Sequence, residues 1–328
     1  MIELYHDSSS YSHFLQVLAK QFKGKVSNGY LHLPAMIGEG ILWAKELPCG
    51  ISVMYADCKF REDIVFNRLA INDERYILLF HDVADAPDDI AVAPGAFNML
   101  KEMVLLTNAG VTNKYYIPAN ARIKSFRLMF KKEHLTAHLN ELLITQAFEQ
   151  YFANFNEKGG VKPLNFDYRV ILGDIMKEKI EQPLMLNFLQ NRSLLLLETF
   201  IRKIATSKVR VFTKQFNDSE LLRLMRVESM LVRDYSETPP NIQYLSRVSA
   251  MSPTKLKSDF KQLYGMPIYE YYQKNRMQRA KSLLLEGDYS IKEVGNKVGY
   301  TNLSHFAGSF KKEFGVLPSQ FISADAFT

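Results

Sequence analysis

The sequence repeats one pattern near its end. The first copy is YLSRVSAMSPTKLKSDFKQLYGMP, from Tyr244 to Pro267, and the second is EVGNKVGYTNLSHFAGSFKKEFGVLP, from Glu293 to Pro318. In each copy a large apolar residue is followed four positions later by another, and then by a glycine. These matching positions, each about fifty residues apart, are Leu256 with Phe306, Phe260 with Phe310, and Gly265 with Gly315. Four-residue spacing stacks side chains on one helix face and glycine commonly ends a helix, so the repeat predicts one small helical fold built twice.

Each copy predicts a short helix, a tight turn and a second helix. The first helices are expected over Ile242 to Ser249 and over Ile291 to Lys297. A polar residue suited to cap the second helix follows the turn: Ser252 in the first copy, and Thr301 or Asn302 in the second. Helix, tight turn and helix form the helix-turn-helix arrangement, whose second helix enters a DNA major groove.

A further helix, from Ile268 to Leu285, is predicted between the two units. Its roughly 18 residues give a length of about 27 Å at the standard helical rise. A rod of this size is long enough to hold two recognition helices near one DNA turn apart, about 34 Å, on one face of the duplex. Arg276 and Arg279 lie on this helix, and we expect Arg276 in a structural ion pair with the neighbouring helices rather than on DNA.

The stretch NRMQRAKSLLLEGDYSIKEVGNKVGYTNLSHFAGSFKKEFGVLPSQF resembles the signature of AraC/XylS-type bacterial transcriptional regulators. The resemblance covers roughly Ser219 to Ala324, about a third of the chain. The residues that match the family pattern are Arg276, Ala280, Leu284, Ile291, Val294, Gly299, Tyr300, Ser304, Phe306, Phe310, Lys311, Gly315 and Pro318. The sequence departs from the family after the last proline, where Phe321 and Ile322 stand in place of a Tyr-Arg pair. That departure bears on one terminal phosphate contact and not on the fold.

The resemblance implies a sequence-specific DNA-binding transcriptional regulator. Its implied partners are double-stranded promoter or operator DNA, a small-molecule effector, a second copy of the chain in a homodimer, and RNA polymerase. The sequence leaves open the effector, the operator, the regulated pathway and the choice between activation and repression.

The outer faces of the two second helices carry the predicted DNA contacts. On the first of them the candidates are Thr254, Lys255, Lys257, Ser258 and Lys261. Similarity to the family makes Thr254, Lys257 and Ser258 the expected base readers. The second helix offers Asn302, Leu303, Ser304, His305, Lys311 and Lys312. Its Ala307 and Gly308 make no bidentate base contact. We therefore expect the first unit to carry most sequence specificity, and the second to anchor phosphates through its lysines and its helix N-terminus.

Charge and composition agree with this interpretation. The 328 residues suffice for two domains, and the formal net charge is +6. From residue 239 to the end, 12 Lys and Arg stand against 7 Asp and Glu, a net of +5, whereas residues 1–119 contain 10 against 14, a net of −4. A basic end suits phosphate. There is no long apolar run and no secretory signal, and the two cysteines suit a reducing compartment, so we expect a cytoplasmic protein without a membrane partner.

Short apolar runs separated by turns fill the chain from about Leu31 to Phe130. Their alternation and regular spacing predict an all-β sandwich or barrel, and the resemblance implies a cupin-like β-barrel for sensing or pairing. Turns are expected at residues 82–89 and 108–113. Five residues are candidates either for the lining of a ligand cavity or for core packing: Trp43, Met54, Tyr55, Tyr76 and Phe80.

Helical periodicity follows the strands. Three helices are predicted, within residues 135–155, 165–179 and 183–212, and we expect the last to pack on its own barrel and on a second subunit. The predicted fold class is α+β multidomain, with a linker at residues 216–219. Its domains are a cupin-like β sensor domain over 1–130, a helical dimerisation and linker segment over 131–217, and an all-α DNA-binding domain with two helix-turn-helix units over 218–328.

Motifs of enzyme chemistry are absent from the sequence, which contains no GxGxxG, P-loop, Gly-x-Ser-x-Gly or Cys-x-x-Cys. His134 and His138 have the four-residue spacing that binds zinc on a helix, but the sequence marks no third ligand. We therefore expect no catalytic residue, no metal and no cofactor. Two alternatives to an effector-responsive regulator stay open. The N-terminal half serves only dimerisation or protein contact, or it is a cupin-type enzyme fused to a DNA-binding tail.

Overall fold

The structure, a computed structural model, describes residues 1–7, 10–84, 97–98, 103–155, 160–164, 166–177, 184–206, 216, 218–232 and 234–325. The chain forms two compact units, Met1–Arg210 and Val211–Thr328. Each unit has its own hydrophobic core. No helix in the described ranges is both long enough and apolar enough to cross a membrane.

Strands and helices both contribute to the N-terminal unit. Its strands are β1 (Ile2–Asp7), β2 (Val26–Ser27), β3 (Tyr30–His32), β4 (Gly38–Glu46), β5 (Ser52–Phe60), β6 (Ile64–Leu69), β7 (Tyr76–Ala84), β8 (Phe97–Asn98), β9 (Met103–Asn108), β10 (Asn113–Ile117), β11 (Arg122–Phe130) and β12 (Gly160–Pro163). Its helices are α1 (Tyr11–Gln21), α2 (Lys132–Thr136), α3 (Glu141–Phe155), α4 (Phe166–Lys177) and α5 (Leu184–Thr206).

Two sheets face each other in this unit. The larger has the order β12-β9-β7-β11-β5-β4-β3-β2, and the smaller has the order β1-β6-β10-β8. Arg68 on β6 of the smaller sheet reaches the Thr107 hydroxyl on β9 of the larger, over 3.2 Å. The double sheet confirms the expected sheet-rich N-terminal architecture. Strands begin earlier than the pattern from about Leu31 indicated, because β1 pairs in parallel with β6 and α1 packs beside it.

Helices cover the outer face of the larger sheet. Phe126, Leu128 and Phe130 alternate along β11 and are buried in one core with side chains of α3, α4 and α5, among them Phe148 and Phe200. The prediction that the long apolar helix packs on its own barrel is therefore confirmed for α5. Its packing on a second subunit stays a prediction.

The aromatic candidates from the sequence belong to this same core. Phe80 is fully buried in it, and Trp43, Tyr55 and Tyr76 pack against it half-buried. Met54 is buried on the opposite side of the sheet, in register with Arg127. Core packing therefore accounts for these residues better than the lining of a ligand cavity does.

The middle of the chain differs from the prediction at several boundaries. The helix expected over 135–155 is two helices, because Asn140 caps α3 by accepting a hydrogen bond from the Leu143 N–H over 3.1 Å. As α2 ends at Thr136, His138 lies beyond it, and the zinc-binding spacing on one helix face with His134 is lost. Strand β12 was not predicted. The turn expected at 82–89 is strand through Ala84, and its remainder lies outside the described residues. Part of the expected 183–212 helix, from residue 207, also lies outside them.

The C-terminal unit contains helices only, within its described residues. They are α6 (Asp218–Val232), α7 (Ile242–Ser249), α8 (Pro253–Tyr264), α9 (Ile268–Glu286), α10 (Ile291–Lys297), α11 (Leu303–Phe314) and α12 (Pro318–Asp325). Helix α9 is central, since α6, α8, α10, α11 and α12 all pack against it. The predicted bounds of α7, α9 and α10 agree with the structure to within one residue. Helix α12 was not predicted, and its Phe321 packs on Phe310, with ring centroids 5.7 Å apart.

Candidate functional site

The first helix-turn-helix unit consists of α7 and α8. Between them Ala250 adopts a left-handed conformation with φ of +48°, which ends α7. Ser252 then caps α8, its hydroxyl oxygen accepting a hydrogen bond from the Lys255 N–H over 3.3 Å, and Pro253 occupies the first turn. Gly265 ends α8 in the left-handed region, at φ +81°. The predicted cap and glycine stop are confirmed, and the proline lies where its missing N–H leaves no hydrogen bond unmade.

The second unit consists of α10 and α11. Asn302 is the cap of α11, since its side-chain oxygen accepts hydrogen bonds from the Ser304 N–H over 2.9 Å and the His305 N–H over 3.2 Å. This geometry decides between the two predicted caps, Thr301 and Asn302. Gly295 lies where α10 crosses α11, because a Cβ on it would be 3.3 Å from the Phe306 ring.

Burial of one face fixes which side chains each second helix presents to solvent. Leu256 and Phe260 on α8 are fully buried, as are Phe306 and Phe310 on α11. The opposite faces are exposed, and ten of the eleven predicted contact residues lie on them or at the cap. They are Thr254, Lys257, Ser258 and Lys261 with α8, and Asn302, Leu303, Ser304, His305, Lys311 and Lys312 with α11. The structure thus brings them together on two helices that share the support of α9.

Lys255 is the eleventh predicted residue, and its surroundings differ. Its Nζ lies 2.8 Å from Glu220 Oε1 on α6 and 2.5 Å from Asp259 Oδ2 one turn along α8. Asp259 is buried, at 5% exposure. The ammonium group therefore connects α8 to α6 through carboxylates within the protein. Its prediction as a DNA contact stays a prediction.

Arg276 on α9 has the structural role that the sequence indicated, with different partners. Its Nε donates a hydrogen bond to the Val298 carbonyl at the end of α10. Its guanidinium lies 3.8 Å from the centre of the Tyr300 ring and 5.6 Å from that of Tyr272. Carbonyl bonding and stacking on aromatic rings, rather than an ion pair, hold the second turn against α9.

An exposed pair on α7 was missed by the sequence analysis. The Arg247 guanidinium lies 5.5 Å from the centre of the Tyr244 ring, and Tyr244 is 40% exposed. The first helix of a helix-turn-helix crosses the nucleic-acid backbone, where Arg and Tyr donate to phosphate. The amphipathic pattern of α7 marks these two positions as outward-facing, and that pattern was sufficient to find them.

Cavities among the described residues of the N-terminal unit include an open cleft and a small internal one. One is an open cleft of about 940 Å³ between the β6–β7 connection and the start of α2, with side chains of both charges, including Asp73, Glu74, Lys131 and Lys132. The other, of about 10 Å³, lies inside the double sheet. Its polar walls are His6, Asp7, Tyr11, Arg68, Tyr115 and Arg127. None of these six was predicted. The sequence offered one signal for this cavity, namely Arg68, a single arginine at an inward-facing position of an apolar strand.

Metal chemistry has no evident site in the part of the chain that the structure describes. No three or more His, Cys, Asp or Glu side chains are grouped there in a way that could hold a metal ion. His134 instead packs beside Gly50, where a Cβ would lie 3.1 Å from the imidazole ring.

Comparison with known proteins places the C-terminal unit. The helix-turn-helix domain family model matches residues 245–324, from α7 to α12. The xylose operon regulatory protein of Haemophilus influenzae is 36% identical over 70 residues, which are 21% of this chain and 18% of that protein. The uncharacterized HTH-type transcriptional regulator YtdP of Bacillus subtilis is 33% identical over 85 residues, 26% of this chain and 11% of that protein. The chain thus spans less than a fifth of either relative's length.

One solved structure, the C-terminal domain of the response regulator AraT from Geobacillus stearothermophilus, is 27% identical. The similarity covers 31% of this chain and 84% of the chain in that structure, with a TM-score of 0.30.

Proposed function

We propose that this chain, whose C-terminal unit is an AraC-type helix-turn-helix domain, is a sequence-specific DNA-binding transcriptional regulator. One observation carries the proposal. Both second helices, α8 and α11, are fixed to α9 through buried apolar side chains and present exposed polar faces. A recognition helix needs both properties, since it must be rigidly held and must offer polar side chains to base edges. The matched relatives are named as regulators, which supports the same function.

The helices α8 and α11 would have different roles in DNA binding. Near its start α8 offers Thr254, Lys257 and Ser258, which have hydroxyl and ammonium groups for base edges. Helix α11 offers Ser304 and His305 near its start, then Ala307 and Gly308, and two lysines in its last turn. We therefore assign most sequence discrimination to α8 and most phosphate anchoring to α11. Arg247 and Tyr244 on α7 add a phosphate contact beside α8.

The N-terminal unit would supply regulation. Its two-sheet architecture, which the resemblance associates with sensing, supports a small-molecule effector domain. Exposed leucines on the covering helices, Leu142 on α3 and Leu184 and Leu195 on α5, support pairing of two copies through this unit. The regulator would act in the cytoplasm without enzymatic activity, and it would contact promoter DNA and RNA polymerase.

Salt-dependent DNA binding tests the proposal. Full-length protein would first select its duplex from a random pool, and binding to that duplex and to random DNA would then be measured across salt concentration. The selected duplex should bind more tightly than random DNA. Each lost phosphate contact lowers the log–log salt slope by about one, whereas a lost base contact removes about 1–3 kcal/mol of preference.

Two variants separate the two roles, with a third as control. Lys257→Ala should reduce the preference for the selected duplex, and Lys311→Ala should reduce the salt slope while leaving preference intact. Lys20→Ala removes an exposed lysine of α1 in the other unit and should change neither quantity. Failure to enrich any duplex, or an equal effect of all three substitutions, would contradict the proposal.

A further inference from the structure

Helix α6 is the first described helix of the C-terminal unit, and it packs against α7, α8 and α9. Its residues Leu224, Val227 and Leu231 are fully buried. They share one core with Leu256 and Phe260 of α8. Apolar packing therefore holds α6 against the first helix-turn-helix unit. Because such packing is non-directional, the fine orientation of α8 depends on polar contacts.

Two polar residues near the start of α6 reach the first unit at neighbouring places. Glu220 Oε1 is 2.8 Å from Lys255 Nζ, in the first turn of α8. Arg223 Nη1 donates a hydrogen bond over 3.4 Å to the carbonyl of Ala250, the residue that ends α7. Glu220 and Arg223 are three positions apart, so they lie on one face of α6. That face therefore contacts both the turn and the beginning of the helix that follows it.

These two contacts are made to groups that set the direction of α8. Ala250 has a φ of +48°, a left-handed conformation that a residue with a Cβ keeps only where its surroundings hold it. On the other side of the turn, Lys255 Nζ also lies 2.5 Å from Asp259 Oδ2, one turn further along α8. Asp259 is buried. Lys255 thereby connects the first two turns of α8 to Glu220.

The proposed base readers surround Lys255 in the sequence. Thr254 precedes it, and Lys257 and Ser258 follow within one helical turn. A recognition site must hold its side chains within about 0.5 Å and 10–20° of the productive geometry. Any rotation of α8 that Lys255 would otherwise prevent moves all three base readers together, because they share its turn of the helix.

We propose that Glu220 and Arg223 are positioning residues for base recognition by α8. From α6 they hold the turn and the start of α8, and so they set its sequence preference without contacting DNA. Helix α6 begins at Asp218, beside the linker expected at residues 216–219. A restraint on the chain ahead of α6 would therefore act first on the helical turn that contains Glu220. The inference rests on the proposed function, since it requires that α8 reads bases.

The ratio of affinities for the selected duplex and for random DNA measures this role in the full-length protein. Glu220→Gln keeps the size of the side chain and removes the charge-assisted bond to Lys255. The preference for the selected duplex should fall about two- to fivefold, as expected for a partly exposed ion pair. The salt slope should stay unchanged, because no phosphate contact is lost. Arg223→Gln should have the same two effects.

Glu286→Gln is the matched control. It makes the same substitution in the same unit and breaks an ion pair of similar exposure, between Glu286 and Arg279 on α9. It removes the same negative charge, so its general effect on attraction to DNA is alike. Because Glu286 and Arg279 both belong to α9, this control should leave the preference unchanged.

Hydrogen exchange without DNA gives a second measurement. Exchange at the start of α8 should rise in Glu220→Gln and in Arg223→Gln, and not in Glu286→Gln. If native protein enriches no duplex, the proposed function fails, and this exchange difference still decides whether α6 holds α8. An unchanged preference in both α6 variants would overturn the inference. Arg223 is exposed, so its variant decides the question even if Glu220→Gln fails to fold.

The salt slope distinguishes positioning from direct contact. A slope lowered by about one in Arg223→Gln would mean that Arg223 contacts phosphate, and a slope raised by about one in Glu220→Gln would mean that Glu220 only keeps Lys255 from phosphate. Either result would contradict the positioning role of that residue. A fall in unfolding stability with an unchanged preference would likewise reduce the contact to a structural one.

Discussion

Replacement of Gly299 by alanine is expected to disrupt the second helix-turn-helix unit. Gly299 follows α10 with φ of +76°, a conformation that costs an L-residue about 1–2 kcal/mol. A Cβ there would also lie 2.3 Å from the Tyr235 carbonyl oxygen and 2.9 Å from Arg276 Nη2. The guanidinium end can move, but the carbonyl belongs to backbone beside a Tyr235 side chain that is buried against Tyr272.

The magnitude follows from these two costs. Overpacking in a well-packed interior costs about 1–3 kcal/mol, and the left-handed conformation adds about 1–2 kcal/mol. We therefore expect Gly299→Ala to lower the free energy of unfolding of the C-terminal unit by roughly 2–5 kcal/mol, and to abolish DNA selection at temperatures where the native protein is folded.

Two other glycines of the same unit separate the causes. Gly315 has φ of +80° but no atom within 4 Å of its Cβ position, so Gly315→Ala should cost only the conformational part. Gly308 lies inside α11 with nothing within 4 Å, and Gly308→Ala should gain up to about 1 kcal/mol from helix propensity. Hydrogen exchange of peptides from α7 to α12, measured in the full-length chain, ranks the three variants by their effect on the stability of this unit. If Gly299→Ala raises hydrogen exchange no more than Gly315→Ala does, the reasoning from the close Tyr235 carbonyl is refuted.

Three further perturbations test separate parts of the structure. His6 has a folded pKa of about 4 against an ordinary 6.5, so the unfolded chain takes up the proton first. The contribution of His6 to the free energy of unfolding is therefore complete above pH 6.5 and falls by about 3 kcal/mol as the pH drops to 4. Urea midpoints of the native protein should show this loss, and those of His6→Gln should not. Asn302→Ala should cost about 1 kcal/mol and expose the first turn of α11 to hydrogen exchange, whereas Thr301→Ala should not. Lys255→Met should lower stability by about 1–3 kcal/mol, yet leave the salt slope of DNA binding unchanged, unlike Lys261→Ala.

The sequence predicted the C-terminal unit well because its signals are local. A cap, a proline at the first helical position, two apolar residues four apart and a glycine stop all act within one or two helical turns, as at Ser252 and Gly265. Each can be recognised without knowing what lies across the core. Once the buried face of a helix is known, the opposite face must be the exposed one. The sequence therefore also predicted where the candidate contacts lie on α8 and α11.

Long-range contacts explain what the sequence analysis missed. Strand β1 forms a sheet edge only because it pairs with β6, about sixty residues away. Lys255 is bonded to Glu220, which is 35 residues distant on another helix. The cavity needs Arg68 and Arg127 from two different sheets, and neither strand alone indicates that the other arginine lies opposite. In each case the information is in the tertiary fold and not in spacing along the chain.

The position of Lys255 changes how the charges of the two recognition helices compare. With its ammonium group held by two carboxylates, α8 has Lys257 and Lys261 as exposed lysines outside any described ion pair, and α11 has Lys311 and Lys312. Equal numbers of exposed ammonium groups would give the two helices similar shares of the phosphate-derived affinity. The difference in base discrimination must then come from position and from uncharged side chains. On α8 a lysine lies near the helix start beside two hydroxyls, whereas both lysines of α11 lie in its last turn, where they reach phosphate rather than base edges. Under the proposed function, a helix can therefore match its partner in charge and still contribute little to sequence recognition.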